Sequence, residues 1–391
     1  LTQQRVRVLI AGVCGLSLML GIARFAYTPL LPLMLADASI SASQGAWMAS
    51  LNYAGYLAGV LVAAMISDMA LKDRLYRIGI VVACLSTLGM ALTDDWMVWA
   101  LLRFLAGLSS AAGLMLGSGL ILNWLIRHEF RGELGIHFAG IGAGIFFCAV
   151  LVGSLSQWLD WREQWLLLAG SGALLAVPAW SWLPRPENAS ISIGGSTLSD
   201  KPPGRVFLNL FMLAYFCAGV GFVVSATFVV AIVEQLPGFA GRGVWVFALI
   251  GLAAVPATVV WDIVARNWGD INALIAAYLL QALAIALPLL SDDLGWVLFS
   301  GVLFGMTFVG AVSLVLTMAG HYYPSRPAKM MSRMTLSYSV AQILAPAVIA
   351  LAAESQDGYR FGLYLATATM LVGTALIIVL KFMNPSRSSA V

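Results

Sequence analysis

Apolar residues in this 391-residue chain come in long runs separated by short polar stretches. Runs near 8–35, 45–67, 76–93, 96–122, 133–157 and 163–183 are followed by others near 206–233, 243–263, 271–290, 294–319, 332–352 and 361–382. Each approaches the roughly 20 residues a helix needs to cross a hydrocarbon core. The pattern predicts an all-α membrane protein with twelve transmembrane helices. The first run is too long for a cleaved signal peptide, continues past Arg24 to Pro32, and is needed for an even span count, so it is expected to be retained. The longest polar interruption, Pro184 to Arg205, is rich in Pro, Gly and Ser and lacks apolar periodicity. It reads as a cytoplasmic linker between an N-terminal bundle (1–183) and a C-terminal bundle with a short tail (206–391).

Charge sets the orientation. The inside loops hold Arg5, Arg7, Lys72, Arg74, Arg77, Arg127, Arg131, Arg185, Lys201, Arg205, Arg266, Arg326, Lys329, Arg333, Lys381 and Arg387. The outside loops hold only Arg162, Arg242 and Arg360. Cationic loops stay in the cytoplasm, so both termini are expected there, in a bacterial-type inner (plasma) membrane. Composition agrees: 61% of the residues are hydrophobic and 10% charged, against roughly 25% charged in soluble domains. The net charge of +3 reflects those loops and says little about nucleic acid. Cys14, Cys84, Cys148 and Cys217 all fall in apolar runs, so no disulfide is expected.

The two bundles carry weak copies of one another. Asp68 after the second span pairs with Asp262 at the eighth, and Asp94-Asp95-Trp96 with Asp292-Asp293-Leu294-Gly295-Trp296. Asp160-Trp161-Arg162 pairs with Asp357-Gly358-Tyr359-Arg360. Three matches in order, each offset by about half the chain, indicate a duplicated six-helix unit.

Six plus six helices, a central linker and a duplicated half resemble the major facilitator superfamily of secondary transporters. The loop from Ala64 to Arg74 (AMISDMALKDR) is similar to that family's G-x-L-x-D-x-x-G-R-K signature. Asp68 and Lys72 match, Ala64 and Leu71 stand where it has glycine, and Asp73 stands where it has a cation. Arg103-Phe-Leu-Ala-Gly107 resembles the R-x-x-x-G motif of span four. The stretch His137 to Gly153, with Gly140, Gly142 and Gly144, resembles the glycine-rich antiporter motif, with Ile145 in place of its proline. Ala23 to Met34 (ARFAYTPLLPLM) resembles the first helix of the YbfB/YjiJ-like branch. Asp68, read as the C-terminal end of span two, meets an unfavourable macrodipole and needs Lys72, Arg74, Arg77 or another helix N-terminus. The resemblance implies that span eleven supplies that terminus and latches the two halves. Asp262 and Arg266 form the matching gate group.

Two arginines fall inside spans. An arginine at the bilayer centre costs at least about 2.5–3.5 kcal/mol, so it should face protein or water. Arg24 recurs with Ser17, Gly21 and Thr28 at helical spacing, a stripe expected to line a cavity. Arg103, Gly107 and Ser110 form a similar stripe; hydrogen bonds from Arg103 to neighbouring carbonyls are the alternative to a ligand-facing role. Its counterpart in the second half is Leu303, so the charge belongs to one half only. Further polar stripes suited to binding organic solutes are Asn52, Tyr56 and Gly59; Thr335, Tyr338 and Gln342; and His137, Gly140 and Gly144. Tyr27 and Tyr215 join them as binding candidates, with helix packing as the alternative reading. Pro29 and Pro32 are expected to break the end of span one.

All 18 carboxylates fall in loops or at span ends, with Asp68, Glu133, Glu234 and Asp262 nearest the membrane. Proton coupling therefore stays open, with His137 and Glu234 as its candidates, beside facilitated diffusion or a cargo that brings its own proton. A cationic interior favours a small organic anion or neutral amphipathic cargo. Uptake competes with multidrug or metabolite efflux by antiport. The acidic pairs Asp94-Asp95 and Asp292-Asp293 lack further acids at helical spacing, so no enzyme, metal or cofactor is expected. A membrane sensor would carry an output domain, and no phosphate-cradling loop for ATP is present. The expected partners are the bilayer and a small-molecule substrate, with the chain working as a monomer by alternating access.

Overall fold

A computed structural model describes residues 2–37, 40, 42–132, 134–186, 192–193, 196–197, 200, 202–235, 241, 243–291, 293–325, 327–352 and 358–383; for 2, 42, 43, 46, 192–193, 196–197, 227–235, 346–352 and 358–360 it describes backbone only. Among these residues the chain forms twelve long helices. In the first half, α1 runs through Thr2–Leu16, Ser17–Phe25 and Tyr27–Asp37, α2 is Ala42–Met65, and α3 is Met69–Leu92. Then α4 runs through Trp96–Ala111, Ala112–Gly117 and Ser118–Arg127, followed by α5, Gly135–Leu155, and α6, Trp161–Ser181. The second half holds α7 (Arg205–Gln235), α8 (Gly243–Trp268), α9 (Asp270–Leu290), α10 (Leu294–Tyr322), α11 (Pro327–Ala352) and α12 (Gly358–Met383). Ten of these helices are long and apolar enough to cross a membrane. The others are α6, whose first turn carries Arg162 and Glu163, and α11, which carries Lys329 and Arg333.

Packing is duplicated. In the first half α1 packs on α5 and α6, α2 on α4, and α3 on α4 and α6; in the second α7 packs on α11 and α12, α8 on α10, and α9 on α10 and α12. Every one of these pairs recurs six helices later. The bundles meet through α5 with α8 and α2 with α11, themselves one pair and its copy. The duplicated acidic turns do the same work in both halves. Asp95 accepts from Met97 N at 2.8 Å and caps α4, and Asp293 accepts from Gly295 N at 2.8 Å and caps α10. These aspartates satisfy helix ends. Asp160 caps α6 in a reciprocal box with Glu163. Asp94 pairs with Arg162 at 2.6 Å, whereas Asp292 and Asp357 lie outside the described residues.

Glycine lets the helices approach. Lipid gives no hydrophobic push between helices, so close backbone contact has to supply the attraction. A Cβ at Gly142 of α5 would sit 2.7 Å from Val255 N and 2.8 Å from Gly251 O of α8, and one at Gly251 would sit 2.5 Å from Phe146 N. These obstacles are backbone and cannot swing aside. Gly142→Ala should therefore lower thermal stability in detergent by about 1–3 kcal/mol, read as a lower melting temperature. Gly170→Ala, where a Cβ meets nothing within 4 Å, should leave it unchanged.

Candidate binding site between the bundles

The site begins where α1 stops being a regular helix. Over Ser17–Phe25 its turns widen, and Ala26 N donates to Gly21 O, five residues back, at 3.1 Å. Widened turns free carbonyls from the regular ladder, and Pro29 has no N–H to return to Arg24 O or Phe25 O. Arg103 of α4 fills the gap: it donates to Ala23 O at 2.7 Å and Arg24 O at 2.9 Å, with its guanidinium 4.5 Å from the Tyr27 ring. Ser110 of α4 donates to Met19 O at 2.7 Å. Tyr27 in turn donates to Gly45 O at 2.9 Å, and Asn52 Nδ2 to Arg103 O at 2.8 Å. Arg103, Tyr27 and Asn52, read from the sequence as binding residues, are thus engaged in fastening α1, α2 and α4. They position the site rather than face an open cavity.

Arg24 is different. It is only 6% exposed, and its guanidinium lies 4.3 Å from the Tyr56 ring, 5.0 Å from Tyr53 and 5.5 Å from Phe25. Among the described residues no hydrogen bond and no carboxylate reaches it. Cation–π contacts contribute about 0.5–2 kcal/mol each, which offsets much of the desolvation. They leave the five N–H donors of the guanidinium without an acceptor. Across the interface, Tyr338 of α11 lies within electrostatic reach of Arg24 and Tyr56. Its ring packs at a tilt against Tyr215 of α7, centroids 4.7 Å apart, and against Phe222 at 5.9 Å. Gln342, one turn further along α11, is 4% exposed. The structure therefore brings Arg24 and Tyr56 from one bundle towards Tyr215, Tyr338 and Gln342 from the other.

One turn beyond Arg24 a cavity of about 420 Å³ opens among Thr28, Pro29, Pro32, Val152, Val244 and Phe247. It lies at the end of the bundle away from the Lys- and Arg-rich loops. The cationic end is shut instead. There Gly135, the first residue of α5, donates its N–H to Asp262 Oδ2 of α8 at 2.6 Å and accepts from Thr258 Oγ1 at 2.6 Å. His321 Nε2 meets Gly132 O at 3.0 Å, and Gly119 packs on Ala328.

Comparison with known proteins places this architecture. Residues 16–379 match the profile of a family described as "Uncharacterised MFS-type transporter YbfB". The chain belongs to that family. Membership puts it among transporters of the major facilitator type, not among enzymes. It is similar to the MFS-type transporter phiD of Fungal sp., 29% identical over 186 residues, 46% of this chain and 27% of the relative. It is also similar to the MFS antiporter QDR3 of Candida albicans, 33% identical over 98 residues, 25% of this chain and 14% of the relative. The chain thus matches little more than a quarter of these relatives' length at most. Among solved structures it superposes on the human organic anion transporter MFSD10 at TM-score 0.69 and 15% identity, covering 97% of this chain and 99% of the other. A bacterial homologue of ferroportin, solved outward-facing, gives TM-score 0.69 at 12% identity with the same coverage. At these identities the superpositions show the fold.

Within this MFS chain, the structure corrects several sequence expectations. Asp68 does not end α2, which stops at Met65. It begins α3, accepting from Ala70 N at 3.1 Å and Leu71 N at 3.2 Å, where the macrodipole favours an anion. The latch expected between Asp68 and α11 is instead built by its repeat partner, Asp262, on α5. Lys72 is buried, its ammonium 3.6 Å from Met69 Sδ, while Arg74 and Arg266 are exposed. Arg77 pairs with Asp73 at 3.0 Å and holds the end of α6 through Leu183 O at 3.1 Å, a role that composition alone does not reveal. Ser17 bonds Gly140 O at 2.9 Å and Gly21 packs on Gly144, so of the α1 stripe only Thr28 lines the cavity, while Arg24, one turn before it, lies among Phe25, Tyr53 and Tyr56. His137 sits wholly inside the first bundle, 2.9 Å from Ser118 Oγ and against Gly12, away from the interface. Pro29 and Pro32 do not end α1; both line the cavity. Glu234 falls in α7 with its side chain outside the described residues, and Glu133 lies outside them altogether.

Asp262→Ala removes the charged acceptor of Gly135 N, an interaction of about 1.5–3 kcal/mol. Labelling of an Ala328→Cys reporter by a membrane-impermeant maleimide should then rise about tenfold or more. Asp68→Ala should leave that labelling unchanged.

Proposed function

We propose that the chain is a secondary carrier moving a small organic anion across the membrane by alternating access, with Arg24 as the anchor for the anionic group. The observation that carries this reading is a buried guanidinium, flanked by Tyr53 and Tyr56, that meets no acceptor among the described residues. A planar fork of donors in a poorly solvated place suits a carboxylate, bidentately held. The aromatic walls and the apolar cavity beyond Thr28 suit the carbon body of an amphipathic anion.

Residues 1–183 and 206–391 act as the two rocking bodies, joined by 184–205, and a single chain suffices as a monomer. The Lys- and Arg-rich end is the cytoplasmic one, with both termini on that side. With that end closed, Arg24 would be reached from outside. The Asp262 contact with α5 would break when the carrier turns inward. His137 has no path to the interface, so coupling to protons falls to Glu234 or to the cargo itself. The apolar cavity also supports a second reading, efflux of amphipathic compounds, in keeping with the antiporter among the relatives.

The test is counterflow in proteoliposomes with a panel of labelled organic anions. Arg24→Ala should abolish exchange, a loss of two orders of magnitude or more. Arg24→Lys, a point charge without the fork, should keep a small fraction of it. Undiminished exchange by Arg24→Ala would remove the assignment.

A further inference from the structure

One face of α11 carries buried polar atoms that are short of partners among the described residues. Thr335, Ser339 and Gln342 follow one another at helical spacing and are 1%, 2% and 4% exposed. Among the described residues Ser339 Oγ and Gln342 Oε1 have no hydrogen-bond partner, and Thr335 Oγ1 has only a poorly aligned one in the Tyr215 hydroxyl. Serine and threonine in helices commonly return the hydroxyl to a carbonyl one turn back. Elsewhere on α11 they do: Ser332 bonds Ala328 O at 2.7 Å, and Ser337 bonds Met334 O at 2.8 Å and Met212 O at 2.9 Å. Among the described side chains of α11 the shortfall falls on the face that also carries Tyr338, the residue within electrostatic reach of Arg24. Unbonded polar atoms occur on other helices too, as at Gln164, Ser225, Gln281, Ser313, Thr317 and Thr367, but among the described residues no contact ties any of these six to Arg24. Native proteins seldom bury several polar atoms without partners.

We propose that this face is the second half of the cargo site, and that the cargo is an organic anion bearing uncharged hydroxyl groups. Resting on the reading of Arg24 as an anion anchor, it divides recognition between the bundles. Arg24 holds the charge from one side, and Thr335, Ser339 and Gln342 hold the hydroxyls from the other. Gln342 Oε1 can only accept, so the cargo must donate there. Hydroxyl-bearing acids of the sugar-acid or phenolic kind fit this demand, whereas simple aliphatic or aryl carboxylates leave the face unsatisfied. A molecule spanning both bundles also gives them a reason to close on it.

The experiment is equilibrium binding to the full chain in nanodiscs, using two matched pairs: gluconate against hexanoate, and 4-hydroxybenzoate against benzoate. The hydroxylated member of at least one pair should bind on the order of tenfold more tightly, since a site with hydrogen-bonding groups rejects the analogue that lacks them. Gln342→Leu and Ser339→Ala should each pull that ratio towards one, and Arg24→Ala should lose binding of both members. Should Gln342→Leu fail to fold, Ser339→Ala decides alone. Equal binding within both pairs, or a ratio that survives the α11 substitutions, overturns the proposal while leaving the anion anchor standing. Binding of none of the four acids by the unmodified protein removes the anchor and this proposal together.

Discussion

The hydrogen bonds from Arg103 to Ala23 O and Arg24 O are the constraint on which the site depends. Carbonyls released inside a membrane cost several kcal/mol each if left bare. The widened turn of α1, and Pro29 after it, release them at mid-helix. Arg103 supplies two donors from the neighbouring helix and so lets the irregular turn exist. Because the turn exists, the Arg24 side chain is carried among Tyr53 and Tyr56. One arginine is spent on structure, and the other has no acceptor among the described residues.

The duplicated architecture makes a departure from symmetry informative. Helix pairing repeats faithfully from one half to the other, and so do the capping aspartates Asp95 and Asp293. The gate aspartates do not. α2 stops before Asp68, which is then consumed in capping α3, whereas α8 continues past Asp262 to Trp268 and places that carboxylate mid-helix, where it reaches across to Gly135 of α5. A few residues of helix length thus decide which of two equivalent acids joins the bundles. The α5–α8 seam, close-packed at Gly142 and Gly251, keeps Asp262 and Gly135 in register.

Most of the fold was legible because a bilayer enforces it: run length marks the spans, and repeated turns mark the duplication. Arg24 was legible for the same reason, since a charge in a span must have a purpose. What sequence could not show was direction around each helix. Ser17, Gly21, Gly140 and Gly144 share spacing with Arg24 or His137, yet they face one another inside a bundle, because small residues serve close packing and cavity lining equally well. Likewise, Arg103 and Arg24 look alike in sequence. Only the position of the freed carbonyls tells them apart. The unbonded face of α11 was visible as a polar stripe at Thr335, Tyr338 and Gln342, but its lack of partners is a property of the packed structure.

The most direct measurement is a crystallographic or electron cryomicroscopy structure of the protein with an iodinated aryl carboxylate bound. The account places the carboxylate on the Arg24 guanidinium, with the ring between Tyr56 and Tyr338. Ligand density elsewhere, with Arg24 paired to a protein carboxylate or turned to lipid, would contradict it.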